Sequence, residues 1–103
     1  VDVAAREGTP VVAAASGKVA YSGNGLKGYG NLIIIKHNGN FLTAYSHNKV
    51  NLVKEGDTVK RGQKIAEVGK TESERPVLHF ELRRNGQPLD PSSLFGVASP
   101  ATN

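Results

Sequence analysis

The stretch from Pro76 to Pro91, P-V-L-H-F-E-L-R-R-N-G-Q-P-L-D-P, narrows the fold more than any other part of the sequence. Leu78, Phe80 and Leu82 alternate with Val77, His79, Glu81 and Arg83, and a period of two marks a strand with one face in the core and one turned outward. The outward face carries the chemistry. His79 follows Val77 by two positions, the spacing at which a second histidine would let one strand offer two imidazoles to a metal or a substrate. An apolar side chain holds that place instead. A lone histidine on a sheet is more often a satisfied surface residue than a ligand, so His79 gains meaning only from the residues that the fold brings beside it.

Asn31 to His37 and Asn40 to His47 flank Asn38-Gly39, a dipeptide suited to the positive φ values of a tight type I′ hairpin. By alternation Thr43, Tyr45 and His47 share one face, which places His47 at the strand end over the same sheet surface as His79. His37, beside the turn, reads as a solvated histidine with no role. Asn85-Gly86 marks a second hairpin that returns the Leu78–Arg83 strand through Leu89. Between 51 and 69, Glu55-Gly56-Asp57 and Arg61-Gly62 are the corners of short strands. Biotinyl and lipoyl carriers share that pattern, but no lysine here stands at a hairpin tip in the setting those carriers modify. With 12 glycines in 103 residues and no stretch of helical period, the chain reads as one all-β domain, a folded-over antiparallel β-sandwich.

Near the start, V-V-A-A-A-S-G-K-V-A-Y-S-G reads as two short strands broken at Ser16-Gly17. Asp2, inside the short strand before them, reads first as an edge charge that blunts aggregation. The loop N-G-L-K-G-Y-G, from Asn24 to Gly30, lacks the spacing and the strand-to-helix setting of a phosphate cradle, which argues against nucleotide binding there. The formal charge of +4 is small and scattered over strand ends and turns. It excludes nucleic acid as a partner and suits an acidic protein surface or the carboxylates of peptidoglycan. No cysteine is present, so neither a disulfide nor a thiolate metal site is available. The longest apolar run, Leu32 to Ile35, is far too short to cross a bilayer. Because the chain opens inside what reads as a strand, it is expected to be a piece of a longer protein. The domain is expected to span 1–95, with 96–103 a disordered tail.

Several segments, taken in order, closely resemble the LytM/lysostaphin-type zinc endopeptidase domain from Val1 to about Asp90. They are D-V-A-A-x-E-G-T-P-V-x-A-A-A-S-G-K-V, G-Y-G-N-L-I-I-I-K-H, Y-S-H, V-K-E-G-D-T-V-K-R-G-Q-K-I-A and L-H-F-E-L-R-R-N-G-Q-P-L-D-P. Active members of that family bind zinc through a His and an Asp in a His-x-x-x-Asp motif and through the second His of a His-x-His strand. The first His of that pair, with a His ending an earlier strand, activates water. The resemblance places Asp2 at the metal-binding Asp, His79 at the metal-binding second His and His47 at the earlier-strand catalytic His. Val77 falls where the first, catalytic His belongs, and the family's leading His would precede Val1.

A catalytic zinc needs three protein ligands and an open position, and Val77 can neither accept nor donate a proton. The resemblance therefore implies a chain that is not an enzyme, with no catalytic residue, no metal and no cofactor, and with Asp2 and His79 as remnant metal positions. The loop before Asn31, the A-Y-S-H-N segment and the R-R-N-G-Q-P-L-D-P ending are similar to degenerate members that activate periplasmic N-acetylmuramoyl-L-alanine amidases during cell division. It follows from that similarity that the partner is such an amidase, gripped by a former substrate groove of Tyr29, His47, Val77, His79, Glu81 and Arg83. Peptidoglycan is a further partner on this reading. The membrane enters only through a lipid anchor outside this chain, in a parent held at the outer membrane on the periplasmic side of a Gram-negative bacterium. Two other functions stay open: a zinc metalloendopeptidase cleaving peptidoglycan cross-bridges, and a passive peptidoglycan-binding module.

Overall fold

The computed structural model describes residues 2–70, 76–84 and 87–89. Nine strands form one antiparallel sheet among them: β1 (Asp2–Ala4), β2 (Pro10–Val12), β3 (Gly17–Gly23), β4 (Asn31–Lys36), β5 (Phe41–Asn51), β6 (Thr58–Val59), β7 (Lys64–Val68), β8 (Val77–Arg84) and β9 (Gln87–Leu89). The main path runs β1-β8-β5-β4-β3-β6, with β9 paired to β8 and β2 paired to β7. β5 organises the whole. Its first half lies between β4 and β8, and its end turns to pair with β7, Asn48 against Val68 and Asn51 against Ala66. The sheet thereby folds over itself, as the alternation of β8 and the glycine corners require.

The buried layer follows from strand parity. Ile33 and Ile35 of β4, Tyr45 of β5, and Phe80 and Leu82 of β8 meet Val11, Ile65 and Val68 from β2 and β7, with Val19 and Val59 closing the far side. Each such side chain stabilises the fold by roughly 1.5–3 kcal/mol on burial. Tyr45 and Phe80 pack at a tilt, ring centroids 5.4 Å apart. The corners expected at Gly56 and Gly62 are present, with φ of 94° and 83°, a region that costs glycine no Cβ clash. In each, the side chain after the glycine closes the turn: Asp57 Oδ2 accepts from the Lys54 amide at 2.9 Å, and Gln63 Oε1 from the Lys60 amide at 3.0 Å.

Two local readings of the sequence change. The Asn38-Gly39 hairpin is longer than a two-residue turn: Asn38–Asn40 forms a single 3-10 turn, and the left-handed residues are Gly39 and Asn40. Asn40 tolerates that region because its short polar side chain offsets part of the cost. His37 is not a free turn histidine but half-buried and held at both nitrogens. Its Nδ1 lies 2.7 Å from the Ser16 carbonyl and its Nε2 2.8 Å from Thr43 Oγ1, which in turn lies 2.9 Å from the Tyr45 hydroxyl. The Ala14 amide donates to that hydroxyl at 3.0 Å. A carbonyl only accepts and an amide only donates, so the His37 ring donates to Ser16 and the Ala14 amide donates to Tyr45, and Thr43 links the two ends of the chain. Burial pushes the Tyr45 hydroxyl above its ordinary pKa, although its bonds to Thr43 and Ala14 act the other way.

The second hairpin keeps its expected register. Arg84 pairs with Gln87, the register of a two-residue connection, while Asn85 and Gly86 themselves lie outside the described residues. The domain end at 95 and the tail at 96–103 lie outside them as well.

Candidate partner-binding groove

The outward face of β8 is built into a groove by its neighbours on both sides. Pairing with β1 sets Asp2 opposite His79 and Ala4 opposite Val77. Pairing with β5 sets Ser46 opposite His79, Ala44 opposite Glu81 and Leu42 opposite Arg83. Ile34 of β4 stands opposite Ala44, so the same face continues onto a third strand. The loop from Asn24 to Gly30 forms the wall above it, with Leu26, Lys27, Gly28 and Tyr29 turned toward the strands.

Four charged or titratable side chains form a ladder along this face. His79 Nδ1 lies 2.7 Å from Asp2 Oδ1, and His79 Nε2 lies 2.8 Å from Glu81 Oε2. Glu81 Oε1 then accepts from Arg83 through Nε at 2.9 Å and through the terminal nitrogen at 2.7 Å. Carboxylates only accept, so both His79 bonds exist together only when both ring nitrogens carry protons. Burial pushes the Glu81 carboxyl up, but the bonds from His79 and Arg83 and their charges outweigh it, and the carboxyl is held below its ordinary value.

His47 reaches the groove by a route the alternation did not predict. Thr43 and Tyr45 face the core, so a regular strand would carry His47 inward with them. Ile33 pairs with Tyr45 and Asn31 with Asn48, which sets Ser46 and His47 together against Leu32 alone. At this β-bulge His47 takes φ of 64°, the left-handed region. Its amide donates to the Tyr29 carbonyl at 2.9 Å and its carbonyl accepts from Gly69 at 3.0 Å. The ring ends 6.3 Å from that of His79, edge to face. The expectation that His47 shares a surface with His79 matches this position, but the strand parity behind it does not.

Val77 lies on the groove face yet is only 4% exposed and lines neither recess described below. Its short apolar side chain, paired across from Ala4 of β1, is covered and offers a partner almost no surface. This corrects its place among the groove residues. The other five are brought together. Tyr29, His47, His79 and Glu81 line an open recess of about 400 Å³ with Lys27 and Gly28. Tyr29, Glu81 and Arg83 line a second of about 300 Å³ with Leu26, Leu32, Ile34, Leu42 and Ala44. Sharing Tyr29 and Glu81, the two recesses make one groove that is polar at the His47 end and apolar at the other.

The apolar end escaped the reading of the sequence. Its signal was present: Leu32 to Ile35 is apolar at four successive positions, and a strand without alternation is covered on both faces. Ile33 and Ile35 serve the core, which leaves Leu32 and Ile34 for the groove.

Glu81 does not join Asp2 and His79 as a third metal ligand. Asp2 and Glu81 approach opposite nitrogens of one ring, so they cannot converge with it on a single ion. Among the described residues no group of three or more His, Cys, Asp or Glu side chains could hold a metal, and a catalytic zinc takes three protein ligands.

Known proteins match this arrangement in sequence and in fold. The family model of Peptidase family M23 matches residues 1–91. The chain is 55% identical over 91 residues to a Pseudomonas aeruginosa protein named Lipoprotein NlpD/LppB homolog, covering 88% of this chain and 31% of that one. It is 50% identical over 91 residues to the Escherichia coli protein named Murein hydrolase activator NlpD, covering 88% of this chain and 24% of that one. The chain thus spans a third or less of these relatives. Among solved structures, the catalytic domain of the antimicrobial peptidase lysostaphin from Staphylococcus simulans superposes with a TM-score of 0.82 at 36% identity, covering 92% of this chain and 76% of that one. The fold is of the LytM/lysostaphin type, and the chain belongs to Peptidase family M23.

Proposed function

We propose that this chain is a non-catalytic activator of periplasmic N-acetylmuramoyl-L-alanine amidases in the splitting of peptidoglycan at cell division. The observation that carries the reading is the groove itself. A peptidase of this fold needs a titratable group beside the metal; on this reading that position belongs to Val77, which is buried and cannot titrate, and His79 is bonded to two carboxylates. The groove nevertheless keeps a defined shape with an apolar end, which suits binding without chemistry.

Its occupant on this reading is a regulatory helix of the amidase that otherwise blocks the amidase's own zinc site. An apolar strip on the helix would lie against Leu26, Ile34 and Leu42, and polar groups would meet Glu81, Arg83 and His47. Turning a mostly closed enzyme mostly open needs a difference in affinity of about 5.5 kcal/mol between its two states. Names of the relatives support the wider setting, since one is a murein hydrolase activator and another a lipoprotein. The parent protein would then be held at the outer membrane by a lipid anchor and face the periplasm.

Release of dye from labelled sacculi tests the reading. The chain alone releases none, the amidase alone releases little, and the two together release much more. Release by the chain with no amidase present would favour a peptidase instead.

A further inference from the structure

A third recess, of about 440 Å³, lies where β3, β4 and β6 meet, and Lys18, Lys36 and Lys60 are among the residues that line it. Lys18 is the direct cross-strand partner of Lys36 and of Thr58. Like charges set directly opposite each other on a sheet are destabilising, so the pair is unfavourable unless an anion lies between the ammonium groups. Among the described residues none of the three lysines makes an ion pair. Two carboxylates stand nearby: Glu55, which lines an adjoining recess with Lys18 and Lys36, and Asp57, which precedes Thr58 and accepts from the Lys54 amide; neither is within ion-pair distance of the three lysines.

The base of this recess is firm. Any side chain on Gly17 would collide with the Lys36 carbonyl and with the ring of His37. That ring is bonded at both nitrogens, to Ser16 and to Thr43. His37 is therefore a fixed wall with no nitrogen left for a ligand, and the groups free to meet one are the lysine ammoniums on their flexible stems. None of these residues belongs to the groove.

We propose that Lys18, Lys36 and Lys60 form an anion site for the carboxylates of peptidoglycan stem peptides, by which the chain rests on the wall while the groove holds its protein partner. The choice of peptidoglycan rests on the proposed function. A flexible, multiply charged peptide suits three separate ammonium groups better than it would suit a single forked guanidinium. Attraction of this kind acts through exposed charges and so weakens steeply with salt.

Sedimentation of the chain with purified sacculi, at low and at high salt, tests the proposal. The unsubstituted chain pellets with sacculi at low salt and is released at high salt. The triple variant Lys18→Gln, Lys36→Gln, Lys60→Gln binds about tenfold more weakly, the sum expected of three exposed ion pairs, while replacement of all three by Arg keeps the binding. Circular dichroism establishes that both variants are folded, as expected for exposed positions. Equal pelleting of the Gln variant would overturn the site. So would failure of the unsubstituted chain to pellet, or a lysine-dependent preference for phosphatidylglycerol vesicles over sacculi, which would make a lipid phosphate the ligand. Amidase binding in solution, without sacculi, tests the groove separately. A chain that pellets through its lysines but binds no amidase contradicts the groove reading and leaves the lysine site standing.

Discussion

Nδ1 of His79 lies 2.7 Å from Oδ1 of Asp2, across the register that joins the first strand to β8. On the proposed reading these two side chains are remnants of a zinc site, and they bond to each other. We expect metal analysis of protein purified without chelator to find no stoichiometric zinc; one tightly held zinc per chain contradicts this. Asp2→Asn is expected to cost no more than about 1 kcal/mol in denaturant unfolding, because the pair is open to solvent.

Glu81 should give the groove a measurable pH dependence. Its folded carboxyl lies below the ordinary value of 4.5, so its contribution to stability is fully present above about that pH and is lost as pH falls through the lower, folded value. Glu81→Gln is expected to lose roughly 1–2 kcal/mol near neutral pH, the scale of hydrogen bonds to charged partners. The difference from the unsubstituted protein should shrink in acid. Unfolding titrations at pH 7 and below pH 4.5 check the sign. A gap that widens in acid contradicts it.

The bulge at His47 makes two substitutions informative. His47→Gly relieves a left-handed residue and is expected to leave stability unchanged or raise it by up to about 1 kcal/mol. Gly69→Ala sets a Cβ against the backbone of His47 and Lys49 and is expected to cost about 2 kcal/mol or more. Thermal melting compares them. A stabilised Gly69→Ala protein would show that the bulge is placed differently.

Strand parity was legible wherever a strand was regular. Phe80 and Leu82 lie inward and His79, Glu81 and Arg83 outward, as a period of two requires. Parity failed at His47, because an extra residue on β5 is a property of pairing with β4 and leaves no mark in the local pattern. Val77 shows a different limit: alternation gives the face a residue points to, but not how deep it lies on that face. The apolar recess is formed by β4, β5, β8 and the glycine-rich loop together. Leu26, Leu42 and Ala44 are unremarked singly, and only the fold makes them one surface. His37 was misread for the same reason, since Ser16 lies 21 positions from it in sequence.

The central claim is that the groove is the surface that engages the amidase, and Tyr29 and Arg83 test it most directly. Tyr29 lines both recesses, and Arg83 ends the charge ladder at the apolar one. Tyr and Arg commonly dominate interface energies, and truncation of such a residue typically costs about 2 kcal/mol or more. The deciding measurement is the amidase affinity of Tyr29→Ala and Arg83→Ala, with activation read in parallel and folding checked by thermal melting. We predict that both variants stay folded and bind about 30-fold or more weakly, the equivalent of that energy. Unchanged affinity and activation by both folded variants would contradict the account.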